Sequence, residues 1–312
     1  MKTRQHDYIS SQQSPYFLPY KRRYRESQYS YMFLEDFSGW FSSEFTPVGK
    51  RDEFYSVIPE NDILKRLLLF SDCSYFDYSF DKLLSKIMHY LLINGRTYLE
   101  IVSLMNQESV VEGIEFVCVP AKYRGTRLGK CNFVALNPQN KVINFSIDRK
   151  RLVIFDLKDL GFHRNYFRRI INHLSLFDAT NAFEFMRDSK MKEIFNFKEH
   201  QKYMEYKLLK DTSSIHWLGR NYSNQHLSES YHLYRTIQYK VLRYKFLQYI
   251  LDQINAGLDK SKSEWGFAGN ISVSVSLEHY EEAFSRYSKG EINASTLGDI
   301  VIKNLIPEET KV

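Results

Sequence analysis

The apolar positions change period several times along this chain of 312 residues. Phe80, Leu83, Leu84, Ile87, Met88, Leu91 and Leu92 step by three and four, which predicts an amphipathic helix. Asn94-Gly95 stops it, with glycine taking the left-handed conformation. Residues 97–102 are rich in β-formers and read as a strand. Further strands are expected at 114–119, 132–136, 141–147 and 152–155. Residues 137–140 form a hairpin-type loop, and Gly125 and Gly129 flank a basic tip at 122–130. The middle of the chain is thus expected to be a small, mostly antiparallel sheet.

Helical spacing surrounds that sheet. Residues 31–45 are aromatic and helical in part, 46–49 read as a turn, and 63–70 as a short helix capped by Asn61 or Asp62. Phe167, Ile170, Ile171, Leu174 and Phe177 keep helical spacing, and a further helical stretch is expected at 182–206. Residues 213–218 read as one more strand, closed by Gly219. Then Leu233, Ile237, Val241, Tyr244, Leu247, Leu251, Ile254 and Leu258 draw one continuous stripe on a helix at 228–258, ~45 Å long. A loop at 259–270, a strand at 271–277 and helices at 277–287 and 296–304 complete the chain. The fold class is α+β, organised as an arm (1–30), an α+β core (31–225) and a long helix with a helical C-terminal segment (226–312).

Arg235, Lys240, Arg243 and Lys245 cluster on the first half of the long helix, and Tyr231, Tyr234, Tyr239, Phe246 and Tyr249 widen its apolar surface. Two readings stand. In one it is a core helix with a solvated basic face. In the other, Leu233, Ile237, Val241, Tyr244, Leu247 and Leu251 pack on neighbouring subunits while the cations face a polyanion.

Composition narrows the classes. At 43% hydrophobic and 26% charged, the chain has the apolar content that disordered chains lack. Only 13 Gly and 7 Pro disfavour an all-β fold of many tight turns. The formal charge of +6 permits nucleic-acid contact without demanding it. Before residue 26, Lys2, Arg4, Lys21, Arg22, Arg23 and Arg25 face a single acid, Asp7, which suits an extended arm that is solvated or docks on a neighbour. Cys73, Cys118 and Cys131 form no CxxC pair and fit a reducing, cytoplasmic compartment. The start has no apolar signal run, and the richest apolar run, 87–93, contains His89 and is too short for a membrane span.

Catalytic patterns are sparse. The nine histidines form no HExxH, there is no GxSxG elbow, and Gly125-Thr-Arg-Leu-Gly129 lacks the ending of a phosphate loop. No catalytic residue, metal ligand or cofactor is assigned. One fragment offers chemistry. Asp156-Leu-Lys158 ends an apolar strand, as in Mg²⁺-dependent nucleases whose acid holds the metal while the lysine stabilises phosphate charge. Asp148 and Glu115 are poorly placed as its second acid.

The segment Leu91-Leu92-Ile93-Asn94-Gly95-Arg96-Thr97-Tyr98-Leu99-Glu100-Ile101 resembles a recurring piece of phage portal proteins, in which a helix ends close to LLxxGNAYxEI before a strand. Arg96-Thr97 departs from the small or amide residues usual there. Val119-Pro120 matches a proline-containing segment of that family, and Ser214-Ile215-His216-Trp217 matches a histidine-bearing strand before a long helix. The order covers residues 60–260 of a chain shorter than most portals. The resemblance implies a homo-oligomeric ring at a capsid vertex, in the host cytoplasm or the virion, that conducts double-stranded DNA beside other capsid or packaging proteins, with ATP hydrolysis left to a separate motor. Candidate DNA contacts are Lys122, Arg124, Arg127 and Lys130 on the tip and Arg235, Lys240, Arg243 and Lys245 on the helix. The alternatives are a non-catalytic nucleic-acid-binding protein and a Mg²⁺-dependent nuclease.

Overall fold

The computed structural model describes residues 27–45, 54–58, 76–105, 111–119, 121–136, 141–181, 203, 206, 209–219, 228–265, 269–273 and 278–303. The expected arm up to residue 26, the turn at 46–49, the helix at 63–70, the loop at 137–140 and nearly all of 182–206 lie outside them. The fold is α+β. In chain order it runs α1 (Gln28–Ser38), α2 (Phe41–Phe45), β1 (Tyr55–Ile58), α3 (Phe76–Asn94), β2 (Arg96–Met105), β3 (Val111–Cys118), β4 (Lys122–Arg127), β5 (Lys130–Leu136), β6 (Val142–Asp148), β7 (Leu152–Asp156), α4 (Tyr166–Asn181), α5 (Glu229–Trp265), β8 (Asn270–Val273), α6 (Glu278–Ser288) and α7 (Ala294–Lys303).

The helix–glycine–strand unit is the hinge of the architecture. α3 buries Phe80, Leu84, Ile87, Met88, Leu91 and Leu92. Gly95 then turns the chain at φ 72°, donating to the Leu91 carbonyl at 2.8 Å and accepting from Leu157 N at 3.0 Å. A Cβ here would lie 2.0 Å from the Arg164 carbonyl oxygen, so both conformation and space require glycine. β2 emerges as the central strand of an antiparallel sheet ordered β3-β2-β7.

Strand alternation sends the two faces of β2 into different cores. Leu99 and Ile101 join the main core with the helices, while Tyr98 and Val102 join a smaller one. Glu100 shares the parity of Tyr98 and Val102 and is fully buried. Across the smaller core lies a second sheet, β4-β5-β6, contributing Cys131, Phe133, Ala135 and Ile147. A third pairing, β1 with β8, joins distant parts of the chain. Asp81, at the first turns of α3, ties this region together. Its carboxylate accepts from Phe41 N at 3.1 Å, Ser42 N at 3.2 Å and the Tyr55 hydroxyl at 2.5 Å.

α5 has 37 residues and is therefore ~55 Å long. Its stripe is covered by this chain itself. Leu233, Ile237, Val241, Tyr244, Leu247 and Leu251 are all at most 7% exposed, packed with α6, α7, β2, β7 and β8. The expectation that these six line a ring interface is therefore corrected: they are interior residues of one subunit. The aromatic content gathers around the same helix, with Phe37 5.8 Å from Phe246 and 5.3 Å from Phe167, and Phe33 5.1 Å from Trp217. One core runs through both the 31–225 and 226–312 segments.

Residues 213–218 are not a strand. Ser213–Ile215 is a 3₁₀ turn and His216 is left-handed at φ 59°. Ile215 and Trp217 are both buried, so the alternation is real. It arises in a tight loop closed by Thr212 Oγ1 donating to the Trp217 carbonyl at 2.7 Å. β1 carries no signal in the periodicity, and β4 is masked there by Gly125.

Where α5 crosses the sheet it does so at Gly257, whose added Cβ would sit 2.5 Å from Val153 Cγ2 and 3.0 Å from Ile101 Cδ1. Gly257→Ala gains about 1 kcal/mol of helix propensity but overpacks this crossing. The expected net result is a loss of about 1–3 kcal/mol, read as a lower urea midpoint at unchanged slope. A midpoint equal to or above wild type would mean the helix can lift off the sheet.

Candidate nucleic-acid interface

Of the four basic residues expected on the outside of the long helix, three point inward. Arg235 is 1% exposed. Its Nη2 donates to the Thr212 and Trp217 carbonyls, each at 3.0 Å, and its Nη1 to the Leu209 carbonyl at 3.3 Å. Arg243 donates to the carbonyls of Phe37 at 3.2 Å and Gly39 at 2.6 Å, pairs with Glu44, and lies 4.8 Å from the Phe41 ring centroid. Lys240 donates to the Val301 carbonyl at 2.6 Å, and burial pulls its amine down to about 8. Each cation thus meets carbonyls at a helix C-terminus or adjoining turn, where the backbone has unsatisfied acceptors and the helix dipole is negative. The assignment of Arg235, Lys240 and Arg243 to DNA is corrected on this ground. Only Lys245 is exposed.

The 122–130 segment has the opposite character. β4 and β5 pair with Lys122 opposite Val134 and Tyr123 opposite Phe133, and the register shifts between Tyr123 and Gly125, so that Arg124 is bulged out. Arg127 and Lys130 close the hairpin over Leu128 and Gly129, both left-handed at φ 51° and 74°, as a two-residue hairpin turn of this type requires. Lys122, Arg124, Arg127, Leu128 and Lys130 are exposed. The inner side is anchored: Tyr98 lies 5.0 Å from Phe133 and 5.7 Å from Tyr123, ring centre to ring centre, and Phe133 lies 5.7 Å from Phe145.

The 3₁₀ turn after β6 adds two cations beside this hairpin turn. β6 ends at Asp148, which lies opposite Lys130 and caps the 3₁₀ turn Arg149–Arg151 by accepting from Lys150 N at 3.0 Å. Arg149 N donates to the Gly129 carbonyl at 2.9 Å. Arg149 and Lys150 are exposed. Among the described residues, Arg127, Lys130, Arg149 and Lys150 have no ion-pair partner. The first two are among the cations expected from the sequence. The Arg149-Lys150-Arg151 run comes to the tip only through the strand register.

Asp156 is occupied. Arg96 Nε and Nη2 donate to its Oδ2 at 2.8 and 2.5 Å, Arg164 Nε and Nη2 at 3.0 and 2.5 Å, and Lys158 N donates to Oδ1 at 3.2 Å. The side chain is 8% exposed. Burial alone would raise its pKa, but the hydrogen bonds from Arg164 and Arg96 prevail and hold the carboxyl at about 2. Lys158 points to solvent. The pair therefore works as a clamp joining β2, β7 and the segment before α4, and a metal would have to displace two guanidinium groups. Among the described residues no three His, Cys, Asp or Glu converge as metal ligands. Cys118 and Cys131 are buried thiols, and burial pushes Cys118 up to about 12; Cys73 lies outside the described residues. No described helix is long and apolar enough to cross a membrane.

The chain matches no protein-family model, and no curated protein matches it significantly.

Two outcomes follow from these interior charges. Arg243→Ala removes a buried ion pair to Glu44 and leaves two carbonyls without their donor, and is expected to cost about 3–5 kcal/mol in denaturant unfolding; a loss under 1 kcal/mol would mean water replaces the guanidinium. Asp156 has a folded pKa below its ordinary value of 3.8, so its contribution is present above that value and is lost as pH falls towards 2. With both arginines about a third exposed, solvent screening limits the contribution to about 1–2 kcal/mol. The stability difference between wild type and Asp156→Asn should shrink from pH 5 to pH 2; a constant difference would refute the clamp.

Proposed function

We propose that this protein is a non-catalytic, portal-like assembly component that contacts double-stranded DNA through the β4–β5 tip and the adjoining Arg149–Lys150 turn. The observation that carries the reading is the company of these cations. Among the described residues, Arg127, Lys130, Arg149 and Lys150 are exposed with no ion-pair partner, on or beside a hairpin fastened at its base by packed aromatic rings. Such a surface attracts phosphates without reading sequence. The likeness of 91–101 to the portal helix–glycine–strand segment, and a helix of 37 residues behind it, support the assembly part.

The ring, in this reading, is not built on the long-helix stripe, since that stripe is interior. Subunits would meet through surface aromatics instead. Trp40 and Tyr78 stand 4.8 Å apart edge to face, 45% and 41% exposed, as aromatic anchors of interfaces do. The nuclease alternative loses ground because the Asp156 carboxylate already takes two arginines.

Two measurements test the proposal. Light scattering should find a large closed oligomer; a monomer at high concentration would leave only the DNA-binding half. Duplex binding should weaken steeply with salt, and Arg127→Ala with Lys130→Ala should reduce the log–log slope by roughly 2. Lys245→Ala serves as the comparison. An unchanged slope in the double variant would move the contact elsewhere.

A further inference from the structure

We propose that the β4–β5 tip enters the minor groove of duplex DNA and drives Leu128 between base pairs, bending the duplex. This rests on the DNA-contact reading above and adds a mode of binding to it.

The observation is the character of residue 128. Leu128 is 92% exposed, the highest value among the exposed large apolar side chains described. It also occupies a left-handed backbone position, φ 51°, which L side chains other than Asn and Asp disfavour. A hairpin selected only for turning would hold Asn or Gly there. Here the chain keeps an unbranched-at-Cβ apolar side chain at the apex, against both solvation and backbone preference.

The surroundings fit a wedge. A Cβ added at Gly125 or Gly129 would meet nothing within 4 Å, so the tip stands clear of the body. Arg127 and Lys130 flank the leucine, and Arg149 adjoins Gly129 through its backbone hydrogen bond. An apolar knob between cations is complementary to a groove: phosphates line both walls and apolar base faces lie at the floor. The turn puts one apolar side chain at its apex, so a single wedge rather than the whole ribbon has to reach the floor of the roughly 6 Å minor groove, as in proteins that insert apolar side chains there. Residues 122–130 contain no Asn, Gln, Asp or Glu, and the Tyr123 and Thr126 hydroxyls hydrogen-bond each other at 2.7 Å, so the tip meets DNA chiefly through arginine and lysine. Proteins that insert apolar side chains from the minor groove bind through phosphate contacts and deformability, and favour easily unstacked pyrimidine–purine steps. The rigid aromatic base beneath the tip lets insertion proceed without ordering the hairpin first.

The test uses the full chain and an end-labelled duplex of about 30 base pairs with a central TA step, read by energy transfer between its ends. Wild type should bring the ends together. Leu128→Asn, which suits the left-handed position and so preserves the turn, should still bind with an unchanged salt slope and less than tenfold weaker affinity, yet leave the duplex straight. Equal bending by wild type and variant, or binding by wild type without bending, overturns the wedge while leaving DNA contact intact. No binding of wild type to any duplex overturns both. Tighter, Leu128-dependent binding to phosphatidylserine vesicles than to duplex assigns the tip to an anionic membrane and likewise overturns the proposal.

Discussion

Three buried cations on one helix hold this molecule together. Arg235, Lys240 and Arg243 spend their donors on carbonyls at 209–217, Val301 and 37–39 respectively. Each of those places is the end of a helix or the turn just after it, where acceptors have no partner within the helix. Removing a charge from water is costly, and the cost is recovered only when the hydrogen bonds are well made. The long helix therefore does more than supply apolar area: it fixes where three other segments end. Arg243 also binds Glu44 on α2, so the angle between α1 and α2 depends on the same guanidinium.

Around that spine the two sheets divide the work. β3-β2-β7 is packed between the helices and the smaller core, with glycine permitting close approach at Gly95 and Gly257. β4-β5-β6 has one face in the smaller core, and its tip carries its charges outward. Changes at the tip are thus insulated from the main core, whereas a change at Gly257 acts directly on β2 and β7 and one at Arg243 on α1 and α2.

The local pattern made much of this fold legible. The steps of three and four in α3 and α5 and the β-formers after Gly95 each reflect a single dominant face, and each became the element expected. Errors arose where two influences shared one pattern. Ile215 and Trp217 alternate as a strand would, but the alternation comes from a turn pinned by Arg235. The basic residues of α5 read as a solvated face because sequence reports charge, not the carbonyls awaiting it across the fold. One signal did exist: Tyr234, Tyr239 and Phe246 widened the apolar surface beyond a stripe, as a helix enclosed on several sides demands. For the tip, local glycines revealed a turn, but the contribution of Arg149 and Lys150 depends on the register of β5 with β6, which no local pattern encodes.

The bulge at Arg124 has a consequence for the protein's solubility. β4 is the outer member of its three-stranded sheet, and a straight outer strand offers its free amides and carbonyls to any other chain in extended conformation. The irregularity between Tyr123 and Gly125 breaks that row in the middle, and like-charged lysine and arginine would repel a second copy laid alongside. The broken row of backbone groups and the charges of β4 thus disfavour the stacking of this hairpin on a copy of itself.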